Sequence, residues 1–343
     1  MCLFKAILCC VNLIGGHHGK GMIGLMECLP LGRSQITITQ ILMGTWQAGK
    51  SQWGGIQDSE IMEAIRTAFD LGITTFDTAL LYGGGHSERI LAKTLSDVRH
   101  QAIYATKIPP THLRYDKVFK ACHQSLKNLK TDYIDLYQIH WPAGSFGSKV
   151  VPIEETLEAF AELRSEGKIR AIGVSNFSIK QLKLANLSTA VDSVQPPYSL
   201  FWRHADQDII PYCIKKGITV LAYSPLAQGL LTGKFRQGHR FPKGDHRSRN
   251  RLFQTDHFTR ALVALEQLRA IAHRLEVTLG QLALAWVLAQ KGTCAIAGAR
   301  NATQVRQNVE AAQLVLTSEL LSEMDSISHS VTDHLDDNPV QWE

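Results

Sequence analysis

The amino-acid sequence predicts an α/β chain folded as a (β/α)8 TIM barrel. Three observations point there. Eight short β-prone runs alternate with longer segments of helical period from residue 38 onward, their spacing is near-regular, and they are too apolar to carry a wet face. Strands of that kind belong to a parallel sheet covered by helices, and eight such units close into a barrel. A doubly wound open sheet is the structural alternative. It normally carries a glycine-rich fingerprint after its first strand, and GTWQAGK (44–50) is not G-x-G-x-x-G.

The elements follow in order. A hairpin over 28–39 precedes the barrel and closes its bottom. The β-prone runs are ITQILMGT (38–45), ITTFDT (73–78), AIYATK (102–107), YIDLYQIH (133–140), IRAIGVS (169–175), VDSVQ (191–195), ITVLAYS (218–224) and TCAIAG (293–298). The first intervening helix shows Ile61, Ala64, Ile65, Ala68 and Phe69 on one stripe, the i, i+3, i+4, i+7 spacing of a buried helical face. Between the seventh and eighth runs lie about 70 residues, far more than a βα connection needs. They hold the basic stretch FRQGHRFPKGDHRSRNR (235–251) and an extra helix around 256–274, striped by Leu262, Leu265, Leu268, Ile271 and Leu275. A last barrel helix is expected near 301–313. TSELLSEMDSIS then opens one more helix, with Thr317 or Ser318 capping ahead of Glu319 and Glu323.

No repeat or linker divides the chain, so residues 26–330 are expected to be a single domain and 331–343 an acidic tail. The first 25 residues are expected to be a flexible tail or an upstream-assigned start, with Met22 or Met26 opening the folded protein. MCLFKAILCCVNLIGG holds an apolar run of only about nine residues, broken at Asn12, and no small-residue cleavage site, which suits neither a membrane span nor a strong secretory signal. The GGHHGKG that follows lacks phosphate-loop spacing.

Composition narrows the function classes. With 343 residues, 45% of them apolar, and only 26 Gly and 11 Pro, the chain is neither collagen-like nor largely disordered. A net charge of +5 is mild, and the single basic stretch reads better as a phosphate-covering loop than as a nucleic-acid surface. Seven scattered cysteines without C-x-x-C argue against a disulfide framework or zinc ribbon and suit a reducing, cytoplasmic setting. Fourteen histidines without H-E-x-x-H leave no metal site to expect.

Barrel enzymes place their chemistry at the C-terminal ends of the strands. Those ends here carry Asp77 with Tyr82 in the following loop, Lys107, His140 with Trp141 and Pro142, Ser175 with Asn176, Gln195, and Tyr223 with Ser224. Each alone has a bland reading as a surface tyrosine, a turn aspartate or a solvated lysine. Together they put proton-donating and proton-tuning groups on one face from several strands.

The ordered series GTW (44–46), TTFDTALLYGGGHSE (74–88), the lysine of YATK (107), DLYQIHWP (135–142), GKIRAIGVSNF (167–177), AYSPLAQGLLTGKF (222–235) and GARNATQVRQNV (298–309) resembles the aldo-keto reductase superfamily. It covers roughly residues 28–325. The pattern at 298–309 looks like the bacterial branch that also resembles potassium-channel β subunits. The resemblance implies an NADPH-dependent reduction of aldehydes or ketones, with Tyr82 as general acid, Lys107 bringing the phenol's pKa down, Asp77 keeping the lysine charged and oriented, and His140 orienting the carbonyl oxygen.

It also implies a cofactor path. Gly44, Thr45 and Trp46 would border it, Tyr223 would stack on the nicotinamide, and Ser175, Asn176 and Gln195 would hold the carboxamide. Ser224, Pro225, Leu226, Gly229 and Lys234 would wrap the pyrophosphate; Gly298, Arg300, Gln304 and Asn308 would take the adenosine end of NADPH or NADP+, with Arg300 on the 2'-phosphate. The basic loop would be a flap over the dinucleotide. Pro196, Pro197 and Ala297 depart from the family pattern near Gln195 and the adenosine loop.

Two other functions compete. A regulatory subunit of the channel β type would keep the cofactor site without turnover, which the intact Asp77, Tyr82, Lys107, His140 set disfavours. A hydrolase reading of GVSNF (173–177) fails because Phe177 stands where G-x-S-x-G needs its last glycine. Trp46, Tyr82 and Trp141, joined by Trp53 and Trp202, suggest an aromatic-walled pocket for a small carbonyl or alcohol. Neither nucleic acid nor membrane is expected as a partner, and the sequence leaves reaction direction and oligomeric state open.

Overall fold

A computed structural model of the chain describes residues 7–8, 26–50 and 57–336. Eight parallel strands close into a barrel: β1 (Ile41–Gly44), β2 (Thr75–Asp77), β3 (Ile103–Ile108), β4 (Ile134–Ile139), β5 (Ile169–Ser175), β6 (Ser193–Gln195), β7 (Thr219–Tyr223) and β8 (Thr293–Gly298). Each pairs with its sequence neighbour, and β8 pairs with β1 to complete the ring. All eight expected strands are present. The first run divides at Gln40, whose backbone N–H bonds Glu27 while its carbonyl accepts from Ala295 of β8. Thr37–Thr39 therefore belongs to the hairpin with Glu27–Pro30, and only Ile41–Gly44 enters the barrel. Ile7–Leu8 pairs antiparallel with Glu27–Cys28 as a third strand of that small sheet; the rest of the expected N-terminal tail lies outside the described residues.

Strand periodicity separates two cores. Outward residues such as Ile41, Tyr104, Tyr137 and Ile172 pack beneath the helices. Their inward neighbours Leu42, Ala105, Leu136, Ala171, Leu221 and Cys294 fill the barrel, plugged from below by Leu31, Ile36 and Ile38 of the hairpin. The hairpin is fixed there by Thr219, whose hydroxyl accepts from Gly32 N–H at 2.8 Å and donates to the Pro30 carbonyl at 2.7 Å.

The outer ring holds α1 (Asp58–Asp70), α2 (His86–Thr94), α3 (Tyr115–Leu129), α4 (Ile153–Ser165), α5 (Ile179–Ser188), α6 (Ile209–Lys216), α8 (Leu279–Leu288) and α9 (Ala302–Ala311), with α7 (Thr255–Arg274) as the extra helix between β7 and β8. In α7, Leu265, Leu268 and Ile271 are buried, while Leu262 and Leu275 at the stripe's edges are partly so. The C-terminal helix α10 (Ser318–Thr332) packs on α7. Of its two candidate caps, Thr317 is the one whose hydroxyl accepts from Leu320 N–H. Asp325 of α10 bonds both Arg203 and the Trp286 indole, which ties this helix to α8. Among the described residues no helix is long and apolar enough to cross a membrane, and no cluster of metal-ligating side chains is present. Cys122, Cys213 and Cys294 are free and buried. The cysteine pattern argued against a disulfide framework, yet Cys28 is disulfide-bonded.

Candidate active site

A cleft of about 670 Å³ opens at the C-terminal ends of the strands. Its floor follows from the period of two along each strand. Ala105 and Leu136 face the barrel interior, so Lys107 and Gln138, two residues on, face it one layer higher, where Asp77 and Gln195 join them. An apolar plug thus carries a polar layer. The fully buried Lys107 ammonium donates to Asp77 Oδ1 at 2.5 Å and the Thr78 carbonyl at 2.8 Å, and reaches Tyr82 Oη at 3.4 Å. Asp77 Oδ2 accepts from the side-chain amides of Gln195 (3.0 Å) and Gln138 (3.3 Å). Both carboxylate oxygens are therefore satisfied in a buried site, as a buried charge requires. Gly173 of β5 makes room for this layer: a Cβ there would stand 2.8 Å from Gln138 Cγ and 2.4 Å from Ser193 Oγ. Nothing singled out Gln138 in the sequence; its signal was the i+2 step from Leu136.

Tyr82 sits in the loop after β2, where the 3-10 turn Trp46–Gly49 packs against it backbone to backbone. A Cβ on Gly49 would lie 2.8 Å from the Tyr82 carbonyl carbon. The phenol ring meets His140 edge-on, 5.7 Å between centroids. Burial, with the Asp77 charge adding to it, holds the phenol well above its ordinary pKa. This is opposite to the lowering expected from Lys107, because burial is the largest influence on the phenol. Burial pushes Lys107 down while Asp77 supports its charge. Burial and the Lys107 charge hold His140 well below the usual histidine range, so its ring is neutral. Trp141 lies against that ring at 3.8 Å, and His140 Nδ1 is buried with no hydrogen-bond partner among the described residues.

The next strand ends are laced together. Ser175 Oγ donates to the Gln195 carbonyl, and Tyr223 Oη donates to Asn176 Oδ1 at 2.7 Å. The Asn176 amide in turn donates to the His140 carbonyl at 2.9 Å. Ser175, Asn176, Gln195 and Tyr223 all line the cleft, as do Gly44, Trp46, Ser224, Pro225, Leu226, Gly229, Lys234, Gly298, Arg300, Gln304 and Asn308. Thr45 does not line it. Its hydroxyl is buried, donating to the Asp77 carbonyl and bonded to Ser87, so it braces the floor from outside. Trp202 is buried in a turn away from the cleft, and Trp53 lies outside the described residues.

Beyond Tyr223 the chain turns tightly, with Ser224, Ala227, Gln228 and Gly229 all at positive φ. Lys234, Arg247 and Arg300 then gather at this end. Burial lowers the pKa of both Lys234 and Arg300, and like-charge repulsion adds to it, from Arg247 on both and from Arg300 on Lys234. The Arg247 guanidinium grips Asp245 with two hydrogen bonds, 2.9 and 2.5 Å. Gln304 is partly committed elsewhere: its amide oxygen accepts from Arg300 N–H ahead of α9, whose cap is Asn301. Sequence reasoning missed Gln47, Gln228, Arg247 and the start of α8, Thr278, Gly280 and Gln281, as cleft residues. The T-x-x-Q capping box at 278–281 was a legible signal for the last of these.

The basic loop has an apolar heart that its charge conceals. Phe235, Phe241 and Phe253 meet edge-on at 4.8–5.5 Å, with Arg247 lying 4.8 Å over Phe241. His246 lies against Trp46, 4.9 Å between centroids and tilted by 47°, so the loop reaches the Tyr82 side of the cleft.

Comparison with known proteins agrees with this geometry. The chain is 39% identical to aldo-keto reductase YhdN of Bacillus subtilis over 314 residues, spanning 88% of this chain and 93% of that one. It is 34% identical to the NADH-specific methylglyoxal reductase of Escherichia coli, spanning 85% and 95%. A solved aldo-keto reductase of Klebsiella pneumoniae in complex with NADPH superimposes with a TM-score of 0.69 at 30% identity, covering 86% of this chain and 92% of that one. Residues 40–329 match the model of one family along nearly the whole barrel, and the chain belongs to it: the aldo/keto reductase family.

Proposed function

We propose that this protein reduces aldehydes or ketones to alcohols with NADPH, Tyr82 serving as the general acid. The observation that carries the reading is the buried Asp77–Lys107 pair set under Tyr82, with His140 edge-on to the phenol, in a cleft whose far end gathers Lys234, Arg247 and Arg300. Those three cations repel one another, so that end fits a ligand bearing several phosphates. Tyr223, Ser175, Asn176 and Gln195 are assigned to the nicotinamide, Ser224–Gly229 and Lys234 to the pyrophosphate, and Arg300, Gly298, Gln304 and Asn308 to the adenosine end with its 2'-phosphate. The Klebsiella relative's complex supports this nucleotide. The pattern at 298–309 supports a place in the branch resembling channel β subunits.

NADPH, when bound, supplies the hydride that goes to the carbonyl carbon. The chain supplies the rest. Tyr82, held protonated by its raised pKa, gives its proton to the carbonyl oxygen as negative charge develops there. Lys107 stabilises the phenolate left behind, and Asp77 keeps that lysine charged although it is fully buried. His140, neutral, offers an N–H to the carbonyl oxygen and fixes its direction. Solvent returns the proton to Tyr82, so carbonyl, NADPH and one proton become alcohol and NADP+.

The test is turnover by purified protein with NADPH and with NADH against aldehydes, ketones, pyridoxal and sugars, read from nicotinamide absorbance. Reduction of at least one class with NADPH is expected. Stoichiometric retention of NADP(H) with no turnover on any carbonyl would overturn the reading in favour of a regulatory nucleotide-binding protein.

A further inference from the structure

Cleft residues differ sharply in charge according to the strand they follow. After β2 and β4 they are Leu81, Tyr82, His140, Trp141 and Phe146, none of them charged. The one carboxylate on that side, Asp77, is consumed by Lys107, Gln138 and Gln195. The cationic lining residues Lys234, Arg247 and Arg300 all follow β7 and β8.

Phe146 is the unusual member. It is 53% exposed and its backbone is left-handed, φ +53°, between Gly144 (φ +92°) and Gly147 (φ +69°). An L-residue adopts that conformation only at an energetic cost, and here no core burial offsets it. What the conformation achieves is a contact: the Phe146 ring stands edge-on to Trp141, 5.2 Å between centroids and 85° between planes. Trp141 in turn lies on His140. An aromatic ladder therefore runs from the proposed carbonyl-orienting histidine to the mouth of the cleft. Leu81, 47% exposed, is a second large apolar side chain of this lining held in solvent.

From this layout we propose that the physiological substrate is an uncharged carbonyl compound with a flat apolar face, selected by Phe146, rather than a carboxylated, phosphorylated or small polyhydroxylated one. The proposal rests on the reductase reading of the same site. A ring attached to the carbonyl carbon would continue the His140–Trp141–Phe146 ladder, with offset or edge contacts of the kind aromatic pairs favour. A carboxylate on that ring would meet no cation among the described residues of this part of the lining.

The experiment compares kcat/KM for benzaldehyde, 4-carboxybenzaldehyde and methylglyoxal in the full-length protein, then in Phe146→Ala and Phe146→Tyr. Benzaldehyde should exceed its carboxylated analogue by about tenfold or more. Phe146→Ala should reduce the benzaldehyde-to-methylglyoxal ratio by about threefold to tenfold, while Phe146→Tyr, which keeps the ring, retains it. Equal rates on charged and uncharged benzaldehydes, or a ratio that Phe146→Ala leaves unmoved, overturn the substrate assignment and leave the reductase reading standing. No turnover of any of the three overturns the substrate assignment, and the wider carbonyl panel then decides the reductase reading. The substrate comparison in the unmodified protein decides the matter even where a variant folds poorly, and melting curves report that separately.

Discussion

The two halves of the cleft are built on opposite principles. On the β2–β4 side the buried charges are already satisfied: Lys107 by Asp77, and Asp77 by Lys107 and two glutamine amides, all held by register between paired strands. On the β7–β8 side three cations repel one another, and Asp245 near them is gripped by Arg247. A side that is satisfied as it stands is preorganised for chemistry, because its dipoles need not move when a reaction begins. The side where cations crowd one another is suited to binding, since a polyanion removes the repulsion. Substitutions should therefore separate the two halves cleanly, turnover and stability responding on one side and nucleotide affinity on the other.

The largest effect is expected from Tyr82→Phe, which removes the phenolic proton and keeps the ring between Trp46 and His140. Turnover should fall by about two to four orders of magnitude while NADPH affinity and Tm hardly change. Lys107→Met should match that loss in the assay and differ in the melt. It leaves Asp77 as a buried carboxylate without a cation, and breaking a buried pair from one side costs about 3–5 kcal/mol. If the two variants melt alike, the pair is not the structural keystone that its hydrogen bonds imply. If Tyr82→Phe keeps near-full activity, the proton comes from elsewhere and the catalytic assignment falls.

Arg300→Met probes the other half with a smaller expected effect. A hydrogen bond to a charged group is worth about 1.5–3 kcal/mol, so the variant should weaken NADPH by about tenfold to a hundredfold and NADH much less. Equal losses for both nucleotides would place Arg300 away from the 2'-phosphate. Titration of either nucleotide by protein fluorescence measures this directly, and kcat on a saturating aldehyde should stay close to the unmodified value.

The catalytic side was also the more legible in sequence, for a physical reason. Strand ends are fixed by period-two patterning, so Asp77, Lys107, His140, Ser175 and Gln195 could be placed on one rim from their runs alone. Gln138 escaped because an uncharged amide inside an apolar strand carries no chemical flag; only its register beside Lys107 and Gly173 reveals it. Thr45 was misplaced because adjacent residues leaving a strand turn to different sides, Trp46 into the cleft and Thr45 toward Ser87. The basic loop was the least legible. Its charges suggested phosphate, but the Phe235, Phe241 and Phe253 cluster and the reach of His246 to Trp46 depend on a fold that no local period encodes. The sign of the Tyr82 shift was unreadable for a related reason, because it depends on how deeply the folded chain buries the phenol.

His246 bridges the two halves, and this gives the smallest and most specific expectation. Burial beside Trp46 lowers its pKa to about 4, with Arg247 adding to the lowering and Asp245 opposing it. In an open loop the imidazole returns toward its ordinary value of about 6.5. The closed loop thus binds fewer protons than the open one, so closure is favoured above that ordinary value and weakens as pH falls through the interval toward about 4. Limited proteolysis within 236–251 should accelerate across that interval. The acceleration should disappear in His246→Phe, which keeps a ring against Trp46 and cannot take a proton. Arg247 holds the Asp245 carboxyl below its ordinary range, so that pair is a second acid-sensitive contact of the loop. An unchanged acid response in His246→Phe would move the switch from the histidine to the Asp245–Arg247 pair, and would leave the two halves of the cleft without a titratable link between them.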